Sequence, residues 1–281
     1  MSRPNRIEQT FESLNRPALI TFIMAGDPNA EKSLEILKSL PTAGADIIEL
    51  GMPFTDPMAD GPTIELAGGR ALANGQNMTK TLQMVRDFRT DNTATPIVLM
   101  GYFNPILQYG IKKFTQDASS AGIDGLVIVD LPPEEADEAL NAAKEHNIDI
   151  IRLITPTTTK NRLSKILDGA SGFLYYVSIT GVTGAASADL SKIKPHIEEI
   201  KTQTALPIAV GFGIKTPEDA KNMGELSDAI VVGSSIVQNI ADNQNNAELS
   251  QTIAEQVTVL NRALQGQVPT YPLSCQNPYS K

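Results

Sequence analysis

The chain has 281 residues, of which 41% are hydrophobic, a length that suits one α/β barrel with a large core better than one ordinary domain. A formal net charge of -9, with no run of Lys or Arg, argues against a basic nucleic-acid face, yet leaves room for a small anion held by backbone N–H groups. The single cysteine, Cys275, excludes a disulfide framework and a cysteine-rich metal site, and with only His146 and His196 no metal centre is expected. No apolar run reaches transmembrane length and the N-terminus shows no signal-peptide core, so a soluble cytoplasmic protein is expected.

In chain order, 6–14 reads as an extra helix that caps the bottom of a barrel. Eight apolar strand candidates follow at 18–24, 46–50, 96–100, 125–129, 149–153, 173–178, 207–211 and 229–233. Most are continuous Ile/Val/Leu runs, as parallel strands covered on both faces require. Helical stripes lie between them, including Leu34, Leu37 and Leu40, then Ala136, Ala139, Leu140 and Ala143. Leu249, Ile253, Val257, Leu260 and Leu264 mark a long closing helix. Pro133 with Glu134 and Glu135 suits a first helical turn, and Thr216-Pro217-Glu218-Asp219 reads as a capped helix start. Eight strand-plus-helix units without a second domain predict a single (β/α)₈ TIM barrel over 1–266, with a flexible tail at 267–281.

In such a barrel the chemistry sits where strands end and loops begin. Glu49 falls in Ile47-Ile48-Glu49-Leu50, as the penultimate residue of the second strand. Either it pairs with a distant Lys or Arg, or it is a desolvated acid whose raised pKa suits proton transfer near neutral pH. Asp60 follows in a Pro/Gly-broken loop, and its two readings, catalytic carboxylate and N-cap of the helix near Pro62, balance. Asp56, ahead of Pro57, has an even plainer turn-forming reading.

Gly211-Phe212-Gly213-Ile214 after the seventh strand and Gly233-Ser234-Ser235 after the eighth allow backbone N–H groups to approach a phosphate. Residues 234–239 read as a short phosphate-site helix. Each turn alone is an ordinary β-to-α connection; paired on consecutive strands they are more specific. The small-residue segment 178–187, with Thr183 and Gly184, reads as a lid over substrate or as a plain surface loop. Phe22, Met100, Ile128, Val129, Tyr175 and Phe212, near strand ends, either line an apolar pocket for an aromatic ring or fill the barrel core.

The run from Glu49 to Pro62, ELGMPFTDPMADGP, resembles the signature of the tryptophan synthase α subunit. Gly101-Tyr102-Phe103-Asn104-Pro105, Asp130-Leu131-Pro132-Pro133-Glu134-Glu135, Gly181-Val182-Thr183-Gly184 and the two glycine turns support it, so that the resemblance spans about 6–264. It implies a lyase that cleaves indole-3-glycerol phosphate to indole and glyceraldehyde 3-phosphate without a cofactor of its own. Glu49 then matches the acid that protonates the indole ring carbon and deprotonates the glycerol hydroxyl, and Asp60 the carboxylate at the indole N–H. Pro53, Asp56, Asn104 and Pro132 match the face that meets a pyridoxal-phosphate β subunit in an α₂β₂ complex. Many members carry Arg where this chain has Ile179-Thr180, which implies a differently tuned lid. Three other functions remain as alternatives: a stand-alone lyase releasing free indole, an isomerase-like sugar-phosphate barrel, and a non-catalytic barrel that only activates a partner.

Overall fold

Nine short parallel strands carry the fold: β1 (Ala18–Met24), β2 (Ile47–Gly51), β3 (Ile97–Gly101), β4 (Gly125–Ile128), β5 (Asp149–Ile150), β6 (Arg152–Ile154), β7 (Leu174–Val177), β8 (Ile208–Gly211) and β9 (Ala229–Val232). The computed structural model of the protein describes residues 5–177, 190–211 and 213–267, the side chains of 190–192 excepted. The strand order is β5-β4-β3-β2-β1-β9-β8-β7-β6. Its two ends are halves of one segment separated by Ile151, whose N–H donates to the Leu126 carbonyl at 2.9 Å. The sheet therefore closes on itself as the expected (β/α)₈ barrel. The expected fifth strand, 149–153, is corrected to two ladders. Its first half pairs with β4 and its second with β7, the stagger that barrel closure imposes.

Period-two alternation sorts side chains into two cores. Ala18, Ile20, Ile47, Val98, Val127, Ile151, Phe173, Ala209 and Val231 fill the barrel interior. Leu19, Ile23, Ile48, Leu50, Leu99 and Leu126 face outward into the helix layer. That layer comprises α2 (Ala30–Ala43), α3 (Pro62–Ala73), α4 (Met78–Arg89), α5 (Phe103–Tyr109), α6 (Ile111–Ala121), α7 (Asp137–Glu145), α8 (Lys160–Leu167), α9 (Leu190–Lys201), α10 (Pro217–Gly224), α11 (Ser234–Asp242) and α12 (Leu249–Leu264). The stripe on α12 is buried as its spacing predicts, and the helix packs on α2. The Thr216 capping box opens α10.

The N-terminal α1 (Arg6–Ser13) closes the bottom of the barrel. Its Ile7 is fully buried in the interior cluster, and Arg6 reaches the Asp124 carboxylate at 2.7 Å. At this end a reciprocal hydrogen-bond unit recurs ahead of four alternate barrel strands. Asp46, ahead of β2, donates its N–H to the Leu19 carbonyl and accepts the Leu19 N–H on its side chain. Asp124 does the same with Ile97, Ser171 with Ile150 and Asp228 with Ile208. Each unit pairs strand-start groups that the ladder leaves open.

Three local expectations are corrected. Glu49 is the central residue of β2, because the strand runs on through Gly51. Ile128 turns outward into the helix layer, since β4 alternates about the inward-facing Val127. Pro133-Glu134-Glu135 forms a separate 3-10 turn, and α7 begins only at Asp137. Of the expected tail only Gln267 is described; the rest, with Cys275, lies outside the described residues.

Candidate active site

Position within β2 determines the character of Glu49. Ile47 points inward, Ile48 outward and Glu49 inward again, one layer nearer the C-terminal mouth. Its backbone neighbours in register are Phe22 of β1 and Val98 of β3. Glu49 is 2% exposed, and neither carboxylate oxygen has a hydrogen-bond partner among the described residues. Burial without compensation lifts its pKa to about 8, so that it stands protonated at neutral pH. This excludes the reading of Glu49 as half of an ion pair.

Glu49 opens onto a cavity of about 510 Å³ at the barrel mouth. Phe22, Met100, Tyr175, Val177 and Ile64 supply apolar surface, while Asp60, Gly213, Gly233, Ser234 and Ser235 supply polar edge. Two glycines make that shape possible. A Cβ at Gly51 would stand 2.7 Å from the Phe22 ring, and one at Gly211 would stand 2.6 Å from the Tyr175 ring. The Tyr175 hydroxyl is held protonated, first by desolvation and then by the nearby Glu49 charge.

Asp60 is not the cap of α3. The cap position belongs to Gly61, and no side chain bonds the first turn. Asp60 instead accepts a hydrogen bond from the Tyr102 hydroxyl at 2.7 Å, and that oxygen accepts the Ala59 N–H at 3.0 Å. Desolvation raises the Asp60 pKa, the Tyr102 hydrogen bond pulls it down, and the Glu65 charge adds to the rise. Tyr102 itself is driven up by burial and by its bond to Asp60, so it remains a donor. Its ring also lies against Phe54, with centroids 5.6 Å apart. One tyrosine thus ties both ends of the acidic loop to the end of β3.

At the glycine turns, α11 begins at Ser234 with no side-chain cap on its N-terminus. Its first N–H groups lack intrahelical acceptors and border the cavity, an arrangement suited to an anion. The Ser235 hydroxyl donates to the Ile214 carbonyl at 3.1 Å and so pins the β8 turn to the helix. Exposed Lys215 lies on the same rim.

The predicted residues therefore sort by position. Glu49, Asp60, Phe22, Met100, Tyr175, Gly213, Gly233, Ser234 and Ser235 all border one cavity. Val129 packs against the barrel interior beside a different pocket. Thr183, Gly184 and Phe212 lie outside the described residues, as do Ile179 and Thr180. Tyr102, Ile64, Val177, Lys215 and Gln238 were not singled out from sequence. Tyr102 had a usable signal, one position past a strand end, whereas Gln238 sits mid-helix and had none. A second depression, of about 560 Å³, lies at the opposite end of the barrel near Arg16 and Asp228, whose charges are paired.

The tryptophan synthase alpha chain family model matches residues 9–267. The chain belongs to the tryptophan synthase alpha family. Tryptophan synthase subunit alpha from Legionella pneumophila strain Paris is 40% identical, with a TM-score of 0.88 over 94% of this chain and all of that one. The alpha chain from Legionella pneumophila subsp. pneumophila is 39% identical, with a TM-score of 0.87 over 94% of this chain and 98% of that one. Tryptophan synthase from M. tuberculosis in its aminoacrylate-bound form matches at 30% identity and a TM-score of 0.83, over 93% of this chain and 100% of that one. As a member of that family, the protein is a lyase of the alpha reaction in tryptophan biosynthesis. Alpha chains of the family generally work without a cofactor, and the family implies a β-subunit partner.

Proposed function

We propose that the protein cleaves indole-3-glycerol phosphate by a retro-aldol reaction in which Glu49 moves the protons and Asp60 holds the indole N–H. The observation that carries this reading is a buried, unpartnered carboxyl with a pKa of about 8 inside an apolar cavity. A neutral carboxylic acid there can give its proton to indole C3. The ring becomes a cation whose charge the Asp60 carboxylate stabilises at the ring nitrogen. The Glu49 carboxylate then takes the proton from the glycerol hydroxyl on the carbon attached to the ring. As that oxygen becomes a carbonyl, the C–C bond breaks and its electron pair returns to the ring. Indole and glyceraldehyde 3-phosphate result, with Glu49 again protonated and no external proton consumed.

The geometry supports separate tasks for the rest of the cavity. Phe22, Met100 and Tyr175 offer apolar faces to the indole ring, and Gly213, Gly233, Ser234 and Ser235 offer N–H groups to the phosphate. Phosphate binding is remote from the reacting bond and holds the substrate in register for it. Thr183, Gly184 and Phe212 keep the substrate-binding roles expected from the sequence, while Val129, beside a separate pocket, does not line this cavity.

The partner face belongs to the same proposal. Asp56, Asn104 and Pro132 are exposed and Pro53 is half-buried. Apolar Met58 and Leu107 are also uncovered on these segments, at 82% and 51% exposure. A pyridoxal-phosphate β subunit seated there, in a cytoplasmic α₂β₂ complex, would bear on the loop that carries Asp60, because Phe54 and Asp60 share Tyr102. The test is turnover of indole-3-glycerol phosphate by wild type and Glu49→Gln, each alone and after size exclusion with the cognate β subunit. Glu49→Gln is expected to lose about 10³-fold in turnover while still binding glyceraldehyde 3-phosphate. Substantial cleavage by that variant sinks the assignment, and full wild-type activity with no co-elution sinks the complex.

A further inference from the structure

Arg152 has no part in the chemistry above, yet it is a buried charge. Strand alternation turns it outward from β6, between Ile151 and Leu153 of the interior, so its guanidinium lies beneath the loop that follows β4. The residue is 5% exposed. Nη1 donates to the Leu131 carbonyl at 3.1 Å, but Nε and Nη2 have no hydrogen-bond partner among the described residues. A buried guanidinium with two idle donor groups and no carboxylate is strongly destabilising unless an anion completes it.

The space for one is present. Arg152 borders a pocket of about 400 Å³ between the 129–133 loop and α8, separate from the catalytic cavity, and Arg162 of α8 lines it too. Two acids lie near, and both are engaged elsewhere. Glu134 pairs with Arg162 and stands 3.7 Å from Lys165, and Asp130 accepts the Phe103 N–H at 2.7 Å. Neither bonds Arg152. Burial first, and the nearby Arg162 charge second, disfavour the Arg152 cation, and the Glu134 charge offsets only part of this.

We propose that this rim pocket is a second anion site, in which Arg152 and Arg162 hold the oxygens of a small phosphate or carboxylate. An Arg fork meets either oxyanion with two parallel N–H donors, which chloride cannot match. Bound there, the anion would brace the loop carrying Leu131 and Pro132. The site is independent of the catalytic assignment.

Thermal unfolding of the full chain in rising inorganic phosphate or acetate, against chloride at equal ionic strength, tests it. Wild type should gain melting temperature with at least one oxyanion beyond the chloride control, and the more effective of the two names the source. Arg152→Met should lose that part of the gain, with apparent affinity at this site down at least tenfold. Phosphate entering the mouth at Ser234 contributes equally to both proteins, so their difference reports the rim pocket alone. Arg162→Gln, at a half-exposed position, should weaken the same response and serves if Arg152→Met does not fold. Oxyanion gains identical in wild type and in the variants overturn the proposal. Selenate soaked into crystals should add an anomalous peak beside Arg152; a peak only at Ser234 also overturns it.

Discussion

The two ends of the barrel use the same residue type for opposite purposes. At the bottom, Asp46, Asp124 and Asp228 are each neutralised by a cation. Arg16 makes a two-pronged contact with Asp46, at 2.8 and 2.9 Å. Arg6 and Arg89 converge on Asp124, and Lys201 meets Asp228 at 2.8 Å. Each carboxylate also accepts an N–H from the first two residues of the neighbouring strand, so charge and backbone are satisfied together. At the mouth, among the described residues, Glu49 has no hydrogen-bond partner and Asp60 has one neutral side-chain donor. Acids at the bottom are held by cations and strand N–H groups and contribute stability; at the mouth, burial raises the pKa of Glu49 and of Asp60, at a cost in stability. The division follows the general separation of stability and function between the two faces of such barrels.

This contrast can be broken first at Glu49. Its folded pKa of about 8 lies above the unfolded value of 4.5. Below pH 4.5 both states hold the proton and no penalty exists. Between pH 4.5 and 8 only the unfolded chain releases it, so the native state loses stability as pH rises, and above 8 the penalty is constant. Glu49→Gln should therefore unfold at higher denaturant than wild type at pH 8, by an amount on the order of 4 kcal/mol, with the gap closing toward pH 5. A gap independent of pH would show that Glu49 is not buried as an acid.

The bottom should answer in the opposite sense. Asp124→Ala takes the carboxylate from two part-buried guanidinium groups, which keep backbone acceptors, and the acceptor from one strand-start N–H, and should cost roughly 3 kcal/mol in urea unfolding. Its turnover number at a temperature where it stays folded should match wild type. A fall in turnover with stability intact would dissolve the division between the ends. The smallest effect is expected at Tyr102→Phe. Loss of its hydroxyl removes the hydrogen bond that holds the Asp60 pKa down, so the acid limb of the pH–rate profile should move to higher pH. A drop in kcat/KM of about threefold to tenfold should accompany it, from roughly 1 kcal/mol of lost interaction. An unmoved limb would mean that Asp60 is not the titrating group.

Most of the frame was legible because it rests on local pattern. Continuous apolar runs at the spacing of β/α units specified eight strands; the second ended one residue later than expected, and the fifth was divided, since its division arises from closure rather than from its own residues. Glycine turns after β8 and β9 and the acidic loop were legible for the same reason: a turn that approaches a ligand needs small residues whatever surrounds it. Asp60 was different. Asp before Gly-Pro satisfies the rule for a helix cap and for a catalytic loop equally well. The cap reading fails only because Asp60 accepts the hydroxyl of Tyr102, 42 residues later.

The sequence by itself determined the barrel and the residue types at its C-terminal mouth, because strand and helix periods and turn chemistry act over a few neighbouring residues. Tertiary structure alone decided the charge states. Whether Glu49 meets a cation, whether Asp60 faces a helix end or a tyrosine, and whether Arg152 meets a carboxylate depend on which strands become neighbours. Proton affinity is set by the dielectric and donors within a few ångströms, and those are supplied by residues distant in the chain.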